Sequence, residues 1–212
     1  LAGGLSIGHF ALLAVAGYTL GRCWPETEGA PATKSRLFFG RRLWQFFRDS
    51  GVLAGAAVLG ALIAAAQLLP TLAHLPHSPR ALASDYSFAS RYAWPHWHYL
   101  ATLVMPDFFG GGARGHYVGA PNHWELAGWY VGAVCVVLAP LGLFGRQRRA
   151  ERWTLAALCL LAIGLAFGDA GPVHPFFYHH VPLYAALRCP ARALFVLVVA
   201  LPILGAHGVG WL

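Results

Sequence analysis

Residues 51–69 read GVLAGAAVLGALIAAAQLL, a run without one charged side chain. A helix needs about 20 apolar residues to cross the hydrocarbon core of a bilayer, so this stretch predicts a membrane span. Ala56, Gly60 and Ala64 recur every four positions, a stripe against which a second helix can approach closely. Gln67 is its only strongly polar side chain, and Pro70 is expected to end it.

The rest of the chain has the same character. Apolar residues make up 58% and charged residues only 11% of the sequence, against about 25% charged in soluble domains. Further spans are expected over 1–21, 126–145, 153–168 and 193–212. The predicted fold class is all-α, a polytopic transmembrane helical bundle with about five spans in one membrane domain, 1–212. The chain opens at Leu1 without methionine and stops inside an apolar run, so it is read as a piece of a longer protein. Cys23, Cys135, Cys159 and Cys189 show no paired spacing, which gives neither a disulfide framework nor a zinc knuckle.

Lys and Arg set the expected orientation. The connection 22–50 holds six of them and 146–152 holds four, whereas 71–125 holds three and 169–192 two. Positive-inside bias puts the first pair in the cytoplasm and the two longer polar connections, 71–125 and 169–192, outside. Lys34, Arg36, Arg41, Arg42 and Arg48 alternate with Leu37, Phe38, Trp44 and Phe47, which suits an amphipathic helix at headgroup level. The expected partner of these cations is the lipid bilayer, not nucleic acid. Nine of the eleven histidines fall on the predicted outer side, where an amphipathic ring also sits well at headgroup depth.

The outer connections hold most of the polar groups. Gly110-Gly111-Gly112 gives a hinge but no phosphate loop, since the following Lys-Ser/Thr is absent. Asp107, next to Pro106, reads as a turn former. Glu125 begins a predicted span, where its charge can meet the helix dipole; it can also hold a metal with His116 and His123. Gly128 and Gly132 have the spacing of a close helix contact. His179 and His180, adjacent on a helix, point about 100° apart and read as structural.

Several stretches resemble the YfhO family of bacterial multi-spanning membrane proteins, grouped with the GT-C class of lipid-dependent glycosyltransferases. They are Ala66-Gln67-Leu68-Leu69-Pro70-Thr71, Met105-Pro106-Asp107-Phe108-Phe109-Gly110, Tyr117-Val118-Gly119, Trp124-Glu125 with Tyr130-Val131-Gly132, Phe167-Gly168, Val181-Pro182-Leu183-Tyr184, and Leu187-Arg188-Cys189-Pro190-Ala191-Arg192. They occur in the family's order. The resemblance implies a multi-pass protein of the bacterial inner membrane that transfers a sugar from a polyprenyl-phosphate donor to a cell-envelope acceptor on the outer face. It also implies that the usual catalytic acid of the class lies before residue 1. A transporter or flippase of lipid-linked intermediates, or a non-catalytic assembly subunit, is the alternative.

Such a transfer needs a carboxylate to activate a hydroxyl or hold a divalent cation, and cations to stabilise the departing phosphate. A divalent cation is the only cofactor this chemistry suggests. Asp85 and Glu125 are the catalytic candidates. Arg188, Arg192, Arg91 and Tyr117 are the substrate- and phosphate-binding candidates, because the guanidinium fork matches phosphate oxygens. Pro190 suits the first turn of a helix, and the spacing of four is expected to bring Arg188 and Arg192 to one face as a clamp. Transport would call for charges near mid-depth, and the predicted span interiors carry none.

Overall fold

The computed structural model describes residues 2–23, 44, 47–48, 51–52, 54–56, 58–60, 62–63, 65–74, 77, 85–111, 115–145, 148–181 and 184–212. Among these residues the chain is all-helical. It divides into two compact units, one of Leu1–Gly21 with Asp85–Leu212 and one of Arg22–Ser84. Lys34, Arg36, Arg41 and Arg42 of the expected amphipathic segment, with Arg80 and Arg114, lie outside the described residues.

Within the unit Arg22–Ser84, the described residues between 51 and 63 are helical, and Val52, Val58, Leu59, Leu62 and Ile63 are all exposed. Helix α2, Ala65–His74, carries Pro70 in its interior and continues a further turn, so Pro70 does not end it. A Cβ at Gly60 would meet open space, so among the described residues nothing packs on the small-residue stripe at that position.

The larger unit begins with α1, Ala2–Cys23, a 22-residue helix that matches the first predicted span. It continues through α3 (Tyr86–Ala89), a 3₁₀ segment Trp97–Leu103, α4 (His123–Leu126), α5 (Ala133–Gly142), α6 (Arg149–Ala166) and α7 (Val173–His180). A 3₁₀ turn, Pro190–Leu194, then runs into α8, Phe195–Val209.

Of the five expected spans, the described residues show one by length and composition. Only Pro190–Val209, 20 residues, is long and apolar enough among them to cross a membrane. The expected span over 126–145 is broken between α4 and α5, and α5 is just 10 residues long. The cause is local: Gly132 takes φ 102, a conformation that suits glycine. Gly128 and Gly132 therefore mark a helix break, not a helix contact. The close crossing is made instead by Gly142 of α5 and Gly208 of α8, where an added Cβ would run into the carbonyl oxygens of Leu204 and Leu138 respectively.

Helix α6 starts earlier than the apolar pattern suggests, with Glu151 and Arg152 both buried. Both side chains bond to neighbours in the fold, as burial demands. Arg148 donates to Glu151 at 3.2 Å, His207 Nε2 lies 3.6 Å from the other Glu151 oxygen, and Arg152 donates to the Gly145 carbonyl. This ties the start of α6, the turn after α5 and the end of α8 together at one end. α1 arrives there too, since Gly21 packs on Thr154.

The opposite end is built around Trp94, fully buried at 0% exposure. Its backbone N–H donates to the Ala166 carbonyl at the end of α6, and its indole N–H donates to the Leu126 carbonyl of α4, both at 2.7 Å. The Tyr99 ring stacks on it at 6.2 Å and the Phe167 ring meets it edge-on at 5.8 Å. The described residues of 85–125 and 169–192, read from sequence as parts of separate polar loops, thus pack together at one end of the helices of this unit. The four-residue α4 meets Pro190–Leu194 at this end.

Candidate functional site

The candidate site residues converge on the Trp94 end. Glu125 projects from α4 and Arg192 from the Pro190 turn, and the two form a forked pair. Arg192 Nε donates to Glu125 Oε2 at 2.9 Å, and a terminal nitrogen donates to Oε1. Their side chains are only 22% and 16% exposed, so the pair is shielded enough to be held in one geometry. Both carboxylate oxygens accept from the same guanidinium, a bidentate pair. Glu125 lies in the first turn of α4, where its charge meets the helix dipole, and both its oxygens are taken up by Arg192.

Arg188 has a different environment. The turn at Cys189, φ 66, ends the extended approach and starts the helix at Pro190. Pro190 does take the first turn. Because Arg188 stands before that turn, the four-residue spacing does not put Arg188 and Arg192 on one helical face. Arg188 turns to the segment 85–92, where its guanidinium carbon lies 4.6 Å from the Phe88 ring centroid and 4.9 Å from that of Tyr92. Arg91 approaches the same Phe88 ring at 5.8 Å. Two aromatic faces attract the cation electrostatically. Tyr92 reaches this position through a left-handed backbone, φ 67. Arg188 Nε is buried and has no hydrogen-bond partner among the described residues.

Asp85 stands exposed at the head of α3 and accepts the Ser87 hydroxyl at 2.7 Å. That hydrogen bond holds its carboxyl below the usual range, against a smaller opposing effect of desolvation. It is therefore ionised and faces water on the turn that also carries Phe88. Tyr117 lies apart from Asp85, on the far loop: its hydroxyl is 3.4 Å from that of Tyr99, which in turn accepts the Ala120 N–H at 2.6 Å. Burial, then Tyr99, pushes the Tyr117 phenol up. Its ring lies 5.4 Å from His123, whose Nε2 is buried and unpartnered.

One buried group escapes sequence reading. His174 of α7 is 1% exposed, with Nδ1 3.3 Å from the Tyr86 hydroxyl. Tyr184 and Tyr86 flank its ring at 5.5 and 5.6 Å. Burial lowers its pKa to about 4, with the Asp169 charge opposing. It belongs to the packing beneath α3, and no local spacing announces it. His180 Nδ1 lies 2.9 Å from the Phe176 carbonyl within α7. Asp107 also behaves as a turn former, with φ 58 and its carbonyl accepting from Gly110.

No group of three or more His, Cys, Asp or Glu side chains among the described residues is placed to hold a metal ion. His116 is exposed, and Glu125 is committed to Arg192. Compared with known protein families, with curated proteins and with solved structures, the chain has no match.

Proposed function

We propose that the chain is the membrane-embedded part of a GT-C-like glycosyltransferase of the bacterial inner membrane. It handles a polyprenyl-phosphate-linked sugar at the end where Trp94, Arg188 and Glu125 gather. The observation that carries this reading is the contrast along Pro190–Val209. At about 1.5 Å per residue its 20 residues extend about 30 Å, the thickness of a hydrocarbon core. Arg188 and the Glu125–Arg192 pair stand at its start, and exposed Trp124 beside them. Exposed Trp211, Phe144 and Trp153 stand with Arg148 and Arg149 at the other end. Between them Val134, Val137, Leu160, Val198 and Val199 are exposed, the aromatic and apolar layering of a bilayer-spanning surface. The ordered resemblance to the YfhO family supplies the chemistry.

In that reaction an acceptor oxygen attacks the anomeric carbon, its proton passes to a base, and the sugar–phosphate bond breaks to release polyprenyl phosphate. Of the two catalytic candidates, Asp85 is the one not paired with an arginine and takes the proton, while Glu125 positions Arg192. A transporter reading is less well supported. The buried charges Glu151 and Arg152 stand in the first turn of α6 at the basic end, not at mid-depth. The test is incubation of membranes containing the full-length protein with radiolabelled polyprenyl-phosphate sugar. Transfer above that of empty membranes, abolished by Asp85→Asn, is expected; equal counts would reject the enzyme.

A further inference from the structure

We propose that Arg188, seated between Phe88 and Tyr92 and flanked by Arg91, is a binding site for a phosphate group at the membrane boundary. The inference rests on the reading above for the phosphate's source, but the site is argued from its own contacts. A guanidinium lying on aromatic faces keeps its N–H edge, since those faces take the π surface and leave the in-plane donors unspent. Here one of those donors, Nε, is buried without a partner, and a buried unsatisfied donor costs free energy. Among the described residues no carboxylate forms an ion pair with Arg188. Arg192, the other arginine of the same segment, has its fork filled by Glu125.

The two guanidiniums thus divide their tasks: one is bonded within the fold, and one is held on aromatic rings with a donor that no described group takes up. Phosphate is the chemistry that fits, because its oxygens accept from the guanidinium edge in parallel. Arg91 over the same Phe88 ring adds a second positive charge. The position of Arg188, two residues before the apolar stretch Pro190–Val209, sets a bound phosphate at headgroup depth.

The experiment uses the full-length protein in phosphatidylcholine nanodiscs, with radiolabelled undecaprenyl phosphate as probe. Phosphatidylglycerol and inorganic phosphate serve as competitors. Arg188→Gln is expected to weaken binding about tenfold or more, the effect of losing charge-assisted bonds. Arg188→Lys keeps the charge and much of the stem, so it guards against misfolding; it should restore only part of the affinity. Competition by phosphatidylglycerol would make the ligand a general lipid headgroup, and competition by inorganic phosphate a free phosphate; each supports the phosphate site. Unchanged probe binding in both variants, or no binding by wild type, overturns it. Arg188-dependent binding without any sugar transfer would leave the site standing and reject the glycosyltransferase reading alone.

Discussion

Arg192 and Glu125, 67 residues apart in sequence, are joined by two hydrogen bonds from one guanidinium to both oxygens of one carboxylate. The pair fastens α4 to the turn that opens α8. Through Leu126, the carbonyl that receives Trp94 is fixed as well. Removing one partner strands a poorly hydrated charge. Glu125→Gln or Arg192→Gln should each cost about 1–3 kcal/mol, less than for a fully buried pair because some solvent reaches it. The double variant should cost less than the sum of the singles, read by thermal unfolding of the purified protein. Strict additivity would deny the coupling.

Trp94 contributes through both its ring and its indole N–H. Trp94→Phe leaves the Leu126 carbonyl without its donor and opens space against Tyr99 and Phe167, a loss of about 2–4 kcal/mol. The drop should appear in the same unfolding measurement. A change within error would mean that Trp94 does not anchor this end.

The crossing of α5 and α8 admits no side chain at Gly142 or Gly208. Gly142→Val or Gly208→Val should separate the helices at a cost of about 1–3 kcal/mol or more. Gly128→Ala, in the break before α5, should not separate them. Proximity labelling between cysteines placed on α5 and α8 checks this.

His174 makes stability depend on pH in a defined direction. Its folded pKa, about 4, lies below the ordinary 6.5, so below pH 6.5 the unfolded chain binds the extra proton. The contribution is complete above pH 6.5 and is lost as pH falls toward 4. At about 1.4 kcal/mol per unit the whole loss is about 3 kcal/mol. His174→Gln should flatten stability between pH 6.5 and 4, followed by chemical denaturation at stepped pH. An unchanged slope would contradict the assignment.

What the sequence made legible follows from how local each cause is. The first apolar run, the start of a helix at Pro190, the turn at Asp107 and the concentration of polar groups at one end all rest on neighbouring residues. The pairing of Arg192 with Glu125 does not, and neither does the seat of Arg188, which depends on a left-handed turn at Cys189 that residue spacing does not encode. Gly128 and Gly132 fit a helix contact by spacing, yet the positive φ of Gly132 turns the pattern into a break. Glu151 and Arg152 fall by sequence in the basic connection 146–152; partners from 145, 148 and 207 allow α6 to begin there and bury them. Trp94 and Trp97 are alike in sequence, and only tertiary packing makes the first buried and the second exposed.

The central claim is that the two ends of the Pro190–Val209 helix face water on opposite sides of a membrane. Single cysteines at Val118 by the site end, Arg149 at the basic end and Val198 between them, in a full-length protein otherwise free of cysteine, test it with a membrane-impermeant maleimide. Val118→Cys should label on intact cells, Arg149→Cys only after permeabilisation, and Val198→Cys in neither. Labelling of Val198→Cys from water, or of all three on intact cells, would contradict it.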